Sequence, residues 1–166
     1  MSDILPAVRV ALEKSGCNFD VMACDPELAD TKVFCERYSI PFENSANAIL
    51  VRSKKGEPHF TVCVLLATHR LDVNHAVRQK LEARKVSFAS AEETRKLTNM
   101  EIGGVTPIGL PNELPVWVDA DVMKCAYIIL GGGNRISKLK ITPEIFYKIN
   151  SAEVVPGLAL KSDVTK

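Results

Sequence analysis

The chain has 166 residues, 46 % of them hydrophobic and 25 % charged, with a net charge of +1 and five cysteines. That balance suits one globular domain with a sizeable core, and no apolar run approaches the ~18 residues of a membrane-spanning helix. The cysteines are odd in number, show no C-x-x-C spacing and pair with no nearby histidine, which argues against a metal site and for reduced, mostly buried thiols. The opening MSDILPAVRV lacks the basic-then-apolar pattern of a signal peptide, so the expectation is a cytoplasmic protein with no membrane partner.

In chain order, Leu5, Val8 and Leu12 give the three-and-four spacing of a helix over 3–15, stopped by Gly16. NFDVMAC (18–24) reads as a short strand, and Asp25-Pro26 as a turn. Asp30 or Thr31 caps a helix whose apolar side is Val33, Phe34 and Tyr38, ending at Ile40-Pro41. NAILVRS (47–53), the turn KKGEP and HFTVCVLLAT (59–68) form the best hairpin signal, and the run from Val62 to Ala67 predicts burial on both faces. LDVNHAVRQKLEARK predicts a helix with Val73, Ala76, Val77 and Leu81 on one side, followed by a strand over KVSFA. Ser90 and Glu93 form a capping-box pattern at the start of AEETRKL.

LPVWVDA (114–120) and AYIIL (126–130) then read as strands, and the tight turn GGGN leads into the alternating ISKLKI (136–141). Thr142-Pro143 opens a helix over EIFYKI, and VVPGLALKSDVTK predicts a peripheral strand and a loose tail. Hairpins mix with helical crossovers, so the fold class expected is α/β, with a mixed, curved to barrel-like β-sheet surrounded by helices. Residues 1–166 show no linker or repeat.

Charge is distributed unevenly along the chain. Segments 1–47 and 86–123 each carry −4, whereas 48–85 carries +5 and 124–166 carries +4. Two basic blocks on one face would make a footprint for phosphates; a solvated mixed surface is the plainer reading. Of the three histidines, only His69 falls where a site could form. No G-x-S-x-G motif occurs, and GGGN lacks the Lys-Ser/Thr and the following helix of a P-loop.

The stretch with most to explain is GGVTPIGLP (103–111), which holds three glycines, two prolines and no charge. Glycine allows close approach to the main chain and proline fixes it, so the loop is expected to contact a ligand through its backbone. On that reading Gly104→Val blocks the pocket without unfolding the protein. Three successive glycines at 131–133 also exceed what a two-residue turn requires.

With PVWVDADV and the final glycine turn, this order of elements resembles the YbaK/EbsC family, related to the editing domain of bacterial prolyl-tRNA synthetases, over about residues 4–150. The resemblance implies a trans-editing hydrolase that cleaves the ester of mischarged aminoacyl-tRNA. The 3′ end of the tRNA would be its partner, with a synthetase as a further one and no cofactor or metal. It also implies that Gly103, Gly104, Val105, Thr106, Pro107 and Gly109 lie against the terminal adenosine and ester, with Asp119, Gly131, Gly132 and Gly133 lining the site. The family carries a lysine at the start of the first hairpin strand; here Asn47 stands in its place. An amide offers donors and an acceptor but no charge, so Asn47 would orient carbonyl or water, and Arg52, Lys138 or Lys140 would have to supply a cation. A second reading is a non-catalytic module that keeps the pocket and binds tRNA ends or a synthetase. Hydrolysis of an unrelated ester or amide is a third.

Overall fold

In a computed structural model, residues 3–111 and 114–162 are described. Helix α1 (Pro6–Ser15) begins with proline in its first turn and stops at Gly16, left-handed at φ 73°. Val8 and Leu12, one turn apart, are its fully buried residues. Strand β1 (Phe19–Ala23) follows, then a 3-10 turn (Pro26–Leu28) capped by the Asp25 carboxylate, and α2 (Thr31–Tyr38). The expected apolar side of α2 is only half right. Phe34 is buried beside Cys35, whereas Val33 is exposed.

The predicted hairpin forms as β2 (Ala46–Ser53) and β3 (Phe60–Leu66), antiparallel from Ala46 opposite Leu66 to Arg52 opposite Phe60. Beyond it lie β4 (His69–Leu71), α3 (Arg78–Lys80), β5 (Val86–Phe88), α4 (Ala91–Thr98), β6 (Val116–Asp119), β7 (Ile128–Gly131), β8 (Ser137–Ile141), β9 (Ala152–Val155) and β10 (Ala159–Lys161). A five-stranded mixed sheet runs β5-β2-β3-β6-β9, with β3, β6 and β9 mutually parallel. A three-stranded antiparallel sheet runs β1-β8-β7, and β10 pairs with β4 as a separate ribbon. The fold is therefore mixed α/β as expected, but the strands make three separate ladders and do not close into a barrel.

Thr61 to Leu66 of β3 is buried throughout because β3 lies between β2 and β6 with side chains packed on both faces. Val62, Val64 and Leu66 join the main core with Leu12, Leu130, Leu139 and Phe146, and Cys63 joins a smaller cluster with Val51, Val77 and Trp117. Each such side chain contributes about 1.5–3 kcal/mol of burial.

Three further expectations change. The helix read over 71–85 forms only in its middle: Leu71 pairs in β4 (His69–Leu71), Val73–Val77 is a π-helical turn closed by Val77 N–H on the Asp72 carbonyl (3.0 Å), it runs on into α3 (Arg78–Lys80), and residues 81–85 are not helical. Pairing with β10, remote in sequence, takes the start of that segment. Most of EIFYKI lies in a 3-10 turn (Pro143–Lys148) that buries Ile145 and Phe146. The single peripheral strand expected near the C-terminus is two, β9 and β10, and most of the expected loose tail, 163–166, lies outside the described residues. The Ser90–Glu93 capping box is present in both directions, at 3.0 and 2.9 Å.

Candidate functional site

Ser45, just before β2, bridges Ile129 of β7 and joins the two larger sheets. At this junction a cavity of about 290 Å³ opens between β2, the first turn of α2, the end of β7, and the 102–105 segment. Ala46, Ala48, Leu50, Phe34 and Val105 give it apolar walls, and Asp30, Thr31, Asn47, Thr94 and Lys138 supply polar groups.

Asn47, on β2, is among the residues lining this cavity. Its Oδ1 accepts a 2.5 Å hydrogen bond from the Thr31 hydroxyl at the start of α2. Its amide N–H₂ has no acceptor among the described residues and remains available to a ligand.

The glycine loop reaches the cavity through Gly103 and Val105, and the glycine turn through Gly131. The other glycines serve a different purpose. Segment 101–104 and turn 131–134 lie backbone against backbone: Glu101 N–H donates to the Gly133 carbonyl (3.1 Å), and Gly133 N–H to the Gly104 carbonyl (2.7 Å). A Cβ at Gly104 would stand 2.0 Å from the Asn134 carbonyl oxygen, and one at Gly131 would stand 2.5 Å from the Gly104 oxygen. Gly132 and Gly133 pack on Ile4, Leu5 and Val8, and Gly109 on the backbone of Ala7 and Val8. The expectation that Gly104→Val would spare the fold is therefore corrected: Gly104 is buried against main chain.

Other residues expected at the site lie outside the cavity lining. Thr106 is fully buried, its hydroxyl without a partner among the described residues. Pro107 and Gly109 line a separate depression beside α1. Asp119, 1 % exposed, caps the 3-10 turn Ala120–Lys124: its oxygens accept from Asp121 N–H (3.3 Å) and Ala159 N–H (3.1 Å). It is structural cement between β6 and β10.

The three cations weighed from sequence separate clearly. Arg52 pairs with Glu93 and sits over the Phe60 ring, and Lys140 is exposed over the Tyr127 ring. Lys138 turns inward. Its side chain is 5 % exposed, its Nζ donates to the Gly103 carbonyl at 3.0 Å, and the ammonium lies 5.4 Å from the Phe34 ring centroid. Burial pushes its pKa below the ordinary lysine value. Lys138 and Lys140 alternate on one face of β8, so sequence gives both the same exposure; α2 covers the first and not the second.

One grouping has no sequence signal. His69, Asp119 and Asp121 converge within 4.8 Å. His69 Nε2 meets Asp121 at 2.8 Å, Lys124 meets the other Asp121 oxygen at 2.9 Å, and these contacts hold the Asp121 carboxyl below its usual range, Lys124 contributing most. Each group is thus engaged within the protein. His69, read as a loop histidine, belongs to β4.

Among solved structures, the chain resembles a candidate trans-editing enzyme for prolyl tRNA synthetase, at 22 % identity, TM-score 0.76 and coverage of 93 % of this chain and 98 % of that one. It also resembles the hypothetical protein APE2540, at 19 % identity, TM-score 0.81 and coverage of 93 % and 99 %. The uncharacterized protein YwhH of Bacillus subtilis is 21 % identical over 150 residues, 90 % of this chain and 93 % of its own. Residues 25–149, which contain Asn47, the glycine loop and Lys138, match the family model for the aminoacyl-tRNA editing domain, and the chain belongs to that family.

Proposed function

We propose that this chain is a cytoplasmic deacylase that hydrolyses the ester of mischarged aminoacyl-tRNA. The observation that carries the reading is the junction cavity, where the Asn47 amide, the Gly103–Val105 backbone and Lys138 meet around small apolar walls. At about 290 Å³ it sits at the lower end of ligand pockets. A small aminoacyl group fits within it, leaving the terminal nucleotide at the mouth. The N–H groups of Gly103 and Val105 have no acceptor among the described residues and can serve as main-chain donors to an ester carbonyl or its adenosine. Asn47 orients the carbonyl or the attacking water, and holding these partners together lowers the barrier by proximity.

The test is deacylation of tRNAs mischarged with small amino acids, with and without the purified protein. Ester loss well above the spontaneous rate is expected on at least one member. A folded protein that accelerates none of them refutes the reading. The second reading, a binding module for tRNA ends or a synthetase, draws on the asparagine at position 47. It would then be favoured if the same protein bound uncharged tRNA with a salt-dependent affinity.

A further inference from the structure

Lys138 is an ammonium held at 5 % exposure with no carboxylate in contact: none of the described ion pairs includes it, and its one hydrogen bond is to the neutral Gly103 carbonyl. Burying an unpaired charge is costly. The groups that act on it are Cys24 beside β1, Cys35 on α2, the exposed Asp30 just before α2, and Arg135 on the glycine turn; Asp30 is in contact with Arg135 at 3.5 Å. An ammonium has three donors, and one is used. Lys138 lines a cavity whose other side chains, Asp30 apart, are neutral.

We propose that Lys138 is the charge-stabilising residue of the site, placed to receive the negative charge that develops on the carbonyl oxygen of a bound ester. It supplies from β8 the cation that Asn47 does not supply from β2. The proposal rests on the ester-hydrolase reading for its reaction. Water adds to the ester carbonyl carbon, and the carbonyl electron pair moves onto the oxygen facing Lys138. Collapse of this adduct re-forms the carbonyl and breaks the bond to the ribose oxygen, which takes the proton given up by water. The products are a free amino acid and a tRNA with its 3′ hydroxyl restored. Lys138 remains protonated throughout, and its contact with the Gly103 carbonyl fixes the ammonium before substrate arrives.

The test compares two adenosine probes carrying an alanine-sized side chain: a phosphonate, which mimics the anionic adduct, and the corresponding carboxamide, which mimics the ground state. Calorimetry on wild type and K138M is expected to show about a 100-fold loss for the phosphonate and only a few-fold loss for the amide. Equal losses for both probes, or no loss, overturn the proposal, because a merely structural lysine does not distinguish them. K138R covers a K138M protein that fails to fold. Its guanidinium does not titrate, so its phosphonate preference should persist at alkaline pH where wild type loses it as the depressed Lys138 pKa is passed. Parallel loss in both proteins also overturns the proposal. A wild type that prefers the phosphonate through Lys138 yet deacylates no tRNA keeps the oxyanion site and refutes only the hydrolase reading.

Discussion

Replacing Gly104 with alanine tests whether the glycine loop is built for packing or for ligand approach. The new Cβ would meet the Asn134 carbonyl oxygen at 2.0 Å, its carbon at 2.5 Å and the Asn134 nitrogen at 2.7 Å, all main-chain atoms that no rotamer change can move. Restoring ordinary contact at 3.4 Å requires the two segments to part by roughly 1.4 Å. That displacement stretches the 2.7 Å bond from Gly133 N–H to the Gly104 carbonyl. Overpacking of this kind costs about 3 kcal/mol, and loss of the buried hydrogen bond adds about 1 kcal/mol. At about 2–4 °C per kcal/mol for a chain of this size, Tm should fall by about 8–16 °C. Gly56→Ala is the control: nothing lies within 4 Å of its Cβ, and only its φ of 72° opposes a side chain. It should lose about 1 kcal/mol, or about 2–4 °C. Thermal unfolding of both variants by circular dichroism decides the matter. A Gly104→Ala protein that melts within about 2 °C of wild type would refute the packing argument and return this glycine to a role in ligand approach.

Thr106→Val removes a buried hydroxyl that has no partner among the described residues while keeping the side-chain shape; stability measured in urea should rise by about 1 kcal/mol, and a fall would mean that the hydroxyl is satisfied in solution. Asp119→Ala strands two backbone amides and should lower stability by about 2 kcal/mol, whereas Asp119→Asn keeps an acceptor oxygen and should deacylate within a few-fold of wild type; a folded but inactive Asp119→Asn protein would put this residue back in the site. Lys138→Met should raise stability near neutral pH by about 1 kcal/mol, since it removes a buried unpaired charge. The native pKa of Lys138 lies below its ordinary value, so its native state holds fewer protons than the unfolded chain between the two. The wild-type disadvantage should therefore be full below the native pKa and vanish as pH rises towards 10.5, a trend read from urea melts across pH.

Much of the local structure was legible in the sequence because its signals are local. Pro6 and Gly16 bound α1, Ser90 and Glu93 cap α4, and the segments read as strands at β2, β3, β7 and β8 form paired strands. The family was legible for a related reason: its loop carries an unusual run of glycine and proline at fixed spacing. Asn47 falls in the first hairpin strand, as read, because the apolar run around it is a local signal.

The sequence determined most of the elements and the mixed α/β character of the fold. Only the tertiary structure decided how the glycines of the two glycine-rich stretches are used, because a close approach from residues 131–134 to residues 101–104 is set by packing between segments some thirty residues apart. It also decided which lysine turns inward. Lys138 and Lys140 are equivalent along β8, and the difference between them is whether a remote helix, α2, lies over the strand at that point. Pairing of β4 with β10 turned His69, read as a loop residue, into part of a strand on the same ground: the energy of a long-range ladder is invisible in a local window.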